Sequence, residues 1–237
     1  MGSSSSKPTI TPNPIYPDFP LEKIQTFFDS KAKKAVLLFP GSFNPVHIGH
    51  IQMAMTSKQQ LEASGFAVAV VFAPSNPAWL NGKKHSVKTL LAIRCELIAM
   101  TLAETGLTEA EGWFVSGFDQ SAMVHGIPRD FPDTIDATKQ LLPTNIQLWY
   151  LFGADHAKHV LKVSKPLNCD GCVVVARSGT DSTGWPPLWM KVETPLRTDI
   201  SSTQIREILL SKNKDKAGAL SGKLTPAEIS YLLEQKY

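Results

Sequence analysis

Hydrophobic positions fall into short runs separated by longer stretches of helical spacing. Ala35–Phe39, Ala67–Ala73, Ile146–Phe152 and Cys172–Ala176 are apolar runs of strand length with little alternation, which predicts strands buried on both faces. Trp113–Phe118 is a third strand in chain order, and Leu188–Val192 a short sixth. Between them the spacing predicts helices over His47–Ala63, stopped by Gly65, and Val87–Glu104, capped by Ser86 and closed by Gly106. In the second of these Leu90, Leu91, Arg94, Leu97, Ile98 and Leu102 recur at helical spacing. Further helices are expected over Leu21–Ser30, Thr134–Leu142 and Asp155–Val163. Capping-box spacing at Ser201/Gln204 and Thr225/Glu228 opens two more, over Ser202–Leu210 and from Thr225 to about Gln235. Residues 119–133 and 212–216 read as loops. Buried strands alternating with helices indicate an α/β fold: a doubly wound parallel sheet of five to six strands with helices on both faces. Such sheets bind ligands beyond the carboxyl ends of their strands, where strand order reverses. Chemistry is therefore sought in the loops after Phe39, Phe72, Phe118, Phe152 and Ala176.

Length and composition narrow the picture. With 237 residues, 43% hydrophobic and 19% charged, the chain can bury a sizeable core unaided. No apolar run reaches the roughly 18 residues of a membrane span. The net charge of +3 is spread along the chain with no dense basic run, so nucleic acid is not an expected partner. Three cysteines are too few for a disulfide framework, and no secretory signal is visible, so an intracellular setting is expected, cytoplasmic and/or nuclear. Residues 1–20 are rich in Ser and Pro and are expected to form a flexible tail, leaving 21–237 as a single domain. Met1-Gly2-Ser3-Ser4-Ser5-Ser6 fits the N-myristoylation pattern with Gly2 as acceptor, although a plain polar tail fits as well. One acyl chain would give only weak, reversible membrane association.

The loop after the first strand carries the densest chemistry: Pro40-Gly41-Ser42-Phe43-Asn44-Pro45-Val46-His47-Ile48-Gly49-His50. Gly41 permits a sharp turn and close approach to a ligand. The segment runs into a helix N-terminus, whose free N–H groups and dipole favour phosphate. His47 and His50, three apart, share a helix face and can donate to phosphate oxygens; Gly49 keeps space beside them clear. Zinc binding and a purely structural pair are the alternatives, the first lacking an evident third ligand. Arg94, on an apolar helix face, either reaches this site or is snorkelling or ion-paired. Cys169-x-x-Cys172 has redox or zinc spacing, with simple packing the plainer reading. His85, His125, His156 and His159 read as surface or loop residues, and Trp185-Pro-Pro-Leu-Trp189 as packing or a binding surface.

Gly41-Ser-Phe-Asn-Pro-Val-His-Ile-Gly-His50 resembles the G-x-F-x-P-x-[HT]-x-x-H signature of nucleotidylyltransferases, and Ile200-Ser-Ser-Thr-Gln-Ile-Arg206 resembles their I-S-S-T-x-I-R signature. Together the two look like the nicotinamide/nicotinate mononucleotide adenylyltransferases. Gly153-Ala-Asp155, Val174-Val-Ala-Arg177-Ser-Gly179 and the closing segment Leu224–Tyr237 are similar to further segments of that family. The chain departs from it in a shifted Lys83-Lys84 loop, with Trp79 in place of a family aromatic, and in lacking a second Trp after Gly153-Ala-Asp155; Phe118 is the best match to the aromatic that stacks on the pyridine ring.

The resemblance implies a Rossmann-like fold and adenylyl transfer from ATP to nicotinamide mononucleotide, with nicotinate mononucleotide a second acceptor, giving NAD and pyrophosphate. It assigns catalysis to His47, His50 and Arg206, the two histidines stabilising the transferring phosphoryl group. Gly41, Ser42 and Phe43 would contact the phosphates through backbone, and Ser202 and Thr203 would hold the β- and γ-phosphates with Arg206. Gly153 and Asp155 would hold the ribose or base side, with Lys84, Phe118 and Arg177 as further binding residues. Mg²⁺ would arrive with ATP, and a homo-oligomer is left open. A nucleotide-binding relative with slow ATP hydrolysis or a regulatory role, or an enzyme with another phosphate acceptor, stands as the alternative.

Overall fold

Burial on both faces of a strand needs a layer of helices on each side, and that is what the chain builds. The computed structural model describes residues 19–76, 90–117, 123–124, 127–128, 130–176, 180–193 and 200–234. In chain order these form α1 (Leu21–Phe27), β1 (Lys34–Gly41), α2 (Ile48–Ala63), β2 (Ala67–Pro74), α3 (Leu91–Glu104) and β3 (Trp113–Val115). A two-strand ribbon, β4 (Met123–Val124) and β5 (Ile127–Pro128), leads to α4 (Phe131–Leu141), β6 (Ile146–Gly153), α5 (Ala154–Val160), β7 (Gly171–Ala176) and β8 (Trp189–Glu193). The last elements are α6 (Ser202–Leu210), α7 (Lys216–Leu220) and α8 (Pro226–Glu234).

The main sheet has six strands in the order β3-β2-β1-β6-β7-β8, all neighbours parallel. Successive residues of β1 explain the apolar run: Leu37 and Phe39 pack with α2, α3, α6 and α8, whereas Val36 and Leu38 pack with α1, α4 and α5. Val70 and Phe72 join the first layer, Val71 and Ala73 the second, so alternating inward and outward positions are apolar alike. This is the doubly wound Rossmann-like arrangement the pattern predicts.

Chain order reverses between β1 and β6, and there the sheet opens. Their pairing ends at Leu38–Tyr150, while β1 stays paired to β2 as far as Gly41–Pro74 and β6 to β7 as far as Gly153–Val175. The two halves separate at their carboxyl ends, leaving a crevice flanked by the loops after Gly41 and Gly153.

Several boundaries differ from the sequence expectation. Asp130 accepts a hydrogen bond from the Phe131 N–H at 2.7 Å, so α4 starts three residues before Thr134, with Pro132 in its first turn, where a proline needs no N–H partner. Part of the segment read as a solvated loop winds into α7, because Asp215 accepts from the Gly218 N–H at 2.8 Å. The third strand stops at Val115, short of Phe118. The expected cap at Ser86 and start at Val87 lie outside the described residues, as does the tail as far as residue 18; its last two residues depart from the expected flexible tail, Phe19 packing on the core and buried Pro20 preceding α1 as its N-cap. Among the described residues no helix is long and apolar enough to cross a membrane.

Candidate active site

The loop from Gly41 to His47 is held by contacts that its own sequence does not reveal. Phe43 adopts φ +42°, in the left-handed region that L side chains avoid. Its ring compensates by wedging into the core at 5.1 Å from Phe39 and 5.6 Å from Phe72, edge-on in both cases, and at 5.1 Å from the His50 ring. A Cβ at Gly41 would lie 2.9 Å from Phe43 Cζ. Glycine is required there to make room for this ring, not for a turn of unusual φ.

His47 is the N-cap of α2 and is buried. Its backbone N–H donates to Nδ1 of His50 at 3.2 Å, and the two rings stack with centroids 3.7 Å apart. A Cβ at Gly49 would come within 3.1 Å of the His47 ring, so glycine there lets that ring lie flat against the helix start. Burial pushes the His47 imidazole down from 6.5 to about 4. Burial, and then the neighbouring His47, hold His50 well below its ordinary value. Both rings are neutral at pH 7. Since Nδ1 of His50 accepts a hydrogen bond, its proton sits on Nε2, which is thereby a donor. In return the His47 side chain faces the His50 backbone N–H, completing a capping box, while its buried Nδ1 makes no hydrogen bond of full geometry. A phosphate beside them would shift both rings toward the imidazolium form, because a nearby negative charge favours it. The N–H groups expected to be free are partly engaged: that of His47 as described, and that of Ile48 with the Lys223 carbonyl at 3.1 Å.

Residues far along the chain converge on the same loop. Ser202, at the start of α6, donates to the Pro45 carbonyl at 2.8 Å. Arg206, one turn on, donates to the Asn44 carbonyl at 2.6 Å and to Thr203 Oγ1 at 3.1 Å. Ser201 caps α6 by accepting from the Gln204 N–H at 3.2 Å, as its spacing predicts. From the opposite side Arg94, fully buried in α3, donates to the carbonyls of Ser42 at 2.7 Å and Ser75 at 2.5 Å. Arg94 thus reaches the loop of the site and does not snorkel to solvent. It ties the loop after β1 to the end of β2, which the Ser75 N–H reinforces by donating to Gly41 at 2.8 Å.

Across the crevice, Gly153 caps α5 and Asp155 lies exposed in its first turn. A Cβ at Gly153 would sit 2.6 Å from Asp155 Oδ1 and 3.6 Å from Met53 on α2, so glycine allows the carboxylate to fold back over the strand end. His156, read as a surface residue, is half-buried instead, its ring 4.8 Å from Phe131 and 5.9 Å from Phe152. Trp189 packs edge-on against Phe152 at 5.2 Å, the packing role among the two readings of the Trp185–Trp189 segment. The structure thus brings together Gly41, Ser42, Phe43, His47, His50, Ser202, Thr203 and Arg206, with Gly153 and Asp155 on the adjoining loop. Lys83, Lys84, Phe118 and Arg177 lie outside the described residues. No group of three or more His, Cys, Asp or Glu side chains among the described residues could hold a metal, so the zinc reading of the histidine pair finds no third ligand there. The assembled donors are imidazole, hydroxyl, guanidinium and backbone N–H groups, a set that suits phosphate oxygens.

Comparisons with known proteins bear on the family and the fold. The cytidylyltransferase-like family matches residues 38–208, a span that includes both loops and most of α6. A probable nicotinate-nucleotide adenylyltransferase of Clostridium botulinum is 25% identical over 190 residues, covering 74% of this chain and 85% of that protein. One from Neisseria meningitidis is 25% identical over 216 residues, covering 85% and 96%. Among solved structures, the nicotinic acid mononucleotide adenylyltransferase of Plasmodium falciparum complexed with NaAD superposes with a TM-score of 0.62 at 14% identity, covering 85% of this chain and 96% of that one. The same protein complexed with APC gives 0.61. These likenesses bear on the fold.

Proposed function

This chain belongs to the cytidylyltransferase-like family and is a nucleotidyltransferase, and from that premise we propose that it transfers the adenylyl group of ATP to a pyridine mononucleotide, forming a dinucleotide and pyrophosphate. The names of its relatives favour the nicotinate form as acceptor, with nicotinamide mononucleotide the form to measure beside it. The observation that carries this reading is the convergence on one loop, at the point where the sheet opens, of two neutral stacked imidazoles and the α6 residues Ser202 and Arg206.

The reaction needs no protein nucleophile. An oxygen of the mononucleotide phosphate forms a bond to the α-phosphorus of ATP, the bond from that phosphorus to the bridging oxygen breaks, and pyrophosphate leaves. Catalysis is then positioning and charge stabilisation. His50 offers its Nε2–H as negative charge moves onto the phosphoryl oxygens. His47 presents its buried imidazole on the same helix turn. Arg206 and Ser202 hold the carbonyls of Asn44 and Pro45 and so set the loop on which both imidazoles stand. Their place at the N-terminus of α6 fits the β- and γ-phosphates, with Thr203 beside them. Gly153 and Asp155 fit the ribose side. Mg²⁺ demands oxygen ligands, and the donors of this crevice are chiefly nitrogen and hydroxyl groups, so the ion would be carried by the triphosphate and its waters. Bound there it would offset phosphate charge.

Purified protein incubated with ATP, Mg²⁺ and either mononucleotide, with dinucleotide measured by chromatography, tests the proposal. Dinucleotide formation that His50→Ala abolishes supports it, and the ratio of the two products assigns the acceptor. Bound ATP with no dinucleotide from either acceptor overturns it.

A further inference from the structure

Away from the crevice, at the opposite end of β7, two thiols face each other. Sγ of Cys169 lies 3.9 Å from Sγ of Cys172, with Cys169 half-buried and Cys172 buried. The segment between them is firmly placed. Asp170 donates its N–H to the Leu148 carbonyl at 2.8 Å, its carboxylate accepts from the Leu148 N–H at 2.7 Å, and it is ion-paired with Lys139. Cys172 is held within the sheet between Tyr150 and Trp189. The Cys169 N–H donates to the Leu167 carbonyl at 2.9 Å. Two anchored backbone positions therefore keep the thiols in register, and closing a bond of about 2.05 Å needs roughly 1.9 Å of approach, within reach of side-chain rotation.

We propose that Cys169 and Cys172 form a redox-active dithiol, Cys169 attacking and Cys172 resolving, which a peroxide closes into an intramolecular disulfide. Their environments divide the roles. The Cys172 thiol, the backbone N–H of Gly171 and the Lys139 ammonium favour the thiolate at Cys169 and lower its pKa against the opposing effects of burial and of the Asp170 carboxylate. The hydrogen bond to Cys169 and burial raise that of Cys172. Cys95, the third cysteine, is buried, its thiol pushed up to about 12, and serves as an internal reference. Cys169 thiolate attacks one peroxide oxygen; the O–O bond breaks, and the departing hydroxide takes up the proton that Cys169 lost, leaving as water. The sulfenic acid at Cys169 is then attacked by Cys172 sulfur, the S–S bond forms, and its hydroxyl leaves as water with the Cys172 proton. Two thiols and one hydrogen peroxide become one disulfide and two waters. Zinc is the other chemistry of this spacing, and among the described residues no group of three or more candidate ligands occurs.

The test uses full-length reduced protein treated with graded hydrogen peroxide, followed by thiol titration, intact mass and peptide mapping. The three thiols of the chain should fall to one, the mass by two hydrogens, and the map should join 169 to 172 with Cys95 free. Dithiothreitol should restore all three. Cys172→Ser should stop at a sulfenic acid on Cys169 that dimedone captures, and Cys169→Ser should leave Cys172 unreacted at the same dose. Three thiols that persist or decline together, a disulfide between chains, or sulfonic acid at Cys169 with Cys172 still reduced would each overturn the proposal. The wild-type map decides the matter by itself should a variant fail to fold, and none of these readouts involves nucleotide.

Discussion

Replacing Arg94 by leucine separates what this residue contributes to stability from what it contributes to the shape of the site. Its guanidinium is fully buried and bonds two carbonyls, those of Ser42 and Ser75. Hydrogen bonds to a charged group contribute about 1.5–3 kcal/mol each, so about 3–6 kcal/mol is lost with both. Removing the cation also removes a desolvation penalty of several kcal/mol. Ser42 and Ser75 are each part-exposed, so water can take over their carbonyls, and leucine fills much of the vacated space. The opposing contributions largely cancel, and we expect a net loss of about 2 kcal/mol, or about 4–8 °C in melting temperature. Activity obeys a different rule. The loop that carries His47 and His50 loses its side-chain tether to β2 and keeps only backbone bonds such as that from the Ser75 N–H to Gly41, and a displacement of about 1 Å in a positioned group costs about 100-fold in rate. The expected result is a roughly 100-fold fall in kcat/KM at 25 °C in protein that circular dichroism shows still folded. Arg94→Lys keeps the charge but cannot span both carbonyls as a fork, and should lie between the two. Unchanged activity in Arg94→Leu, or a loss no larger than its unfolded fraction, would refute the reasoning.

Two buried groups should give stability a pH dependence of opposite sense. His47 is at about 4 when folded against 6.5 unfolded, so the unfolded chain takes up the proton first; its contribution is complete above 6.5 and is lost as pH falls toward 4. The loss is about 3 kcal/mol, and urea titrations of His47→Asn should show this acid limb flattened. Glu228, buried where α8 starts and accepting from the Thr225 N–H at 2.9 Å, is raised by burial to about 7 from 4.5. Its contribution is complete below 4.5 and is lost as pH rises through 7, and Glu228→Gln should abolish that decline while keeping the cap. Gly41→Ala places a methyl 2.9 Å from Phe43 Cζ and should destabilise by about 1–3 kcal/mol through displacement of that ring, which calorimetry would register; an unchanged melting temperature would mean that the ring yields freely.

Much of the fold could be read in advance because its signals are local. Unbroken apolar runs announced strands between two helical layers, and Ser201/Gln204 and Thr225/Glu228 announced helix starts that the structure contains. The first-strand loop announced itself through two glycines and two histidines within one short segment. Signals failed where a local residue had two uses. Pro132 reads as a breaker and serves as a first-turn proline; Asp215 reads as part of a charged loop and serves as a cap.

Residue types and spacing therefore decided the order of strands and helices, and which side chains were equipped for phosphate. Tertiary structure alone decided how those side chains are held. Arg206 finds the Asn44 carbonyl across 162 residues, and Arg94 finds that of Ser42 across 52. The histidines lose their ordinary titration only once the core closes around them. Such contacts have no period and no local propensity. They exist because a parallel sheet whose strand order reverses brings distant loops to one edge, where cations and backbone carbonyls leaving water must find each other or remain unsatisfied.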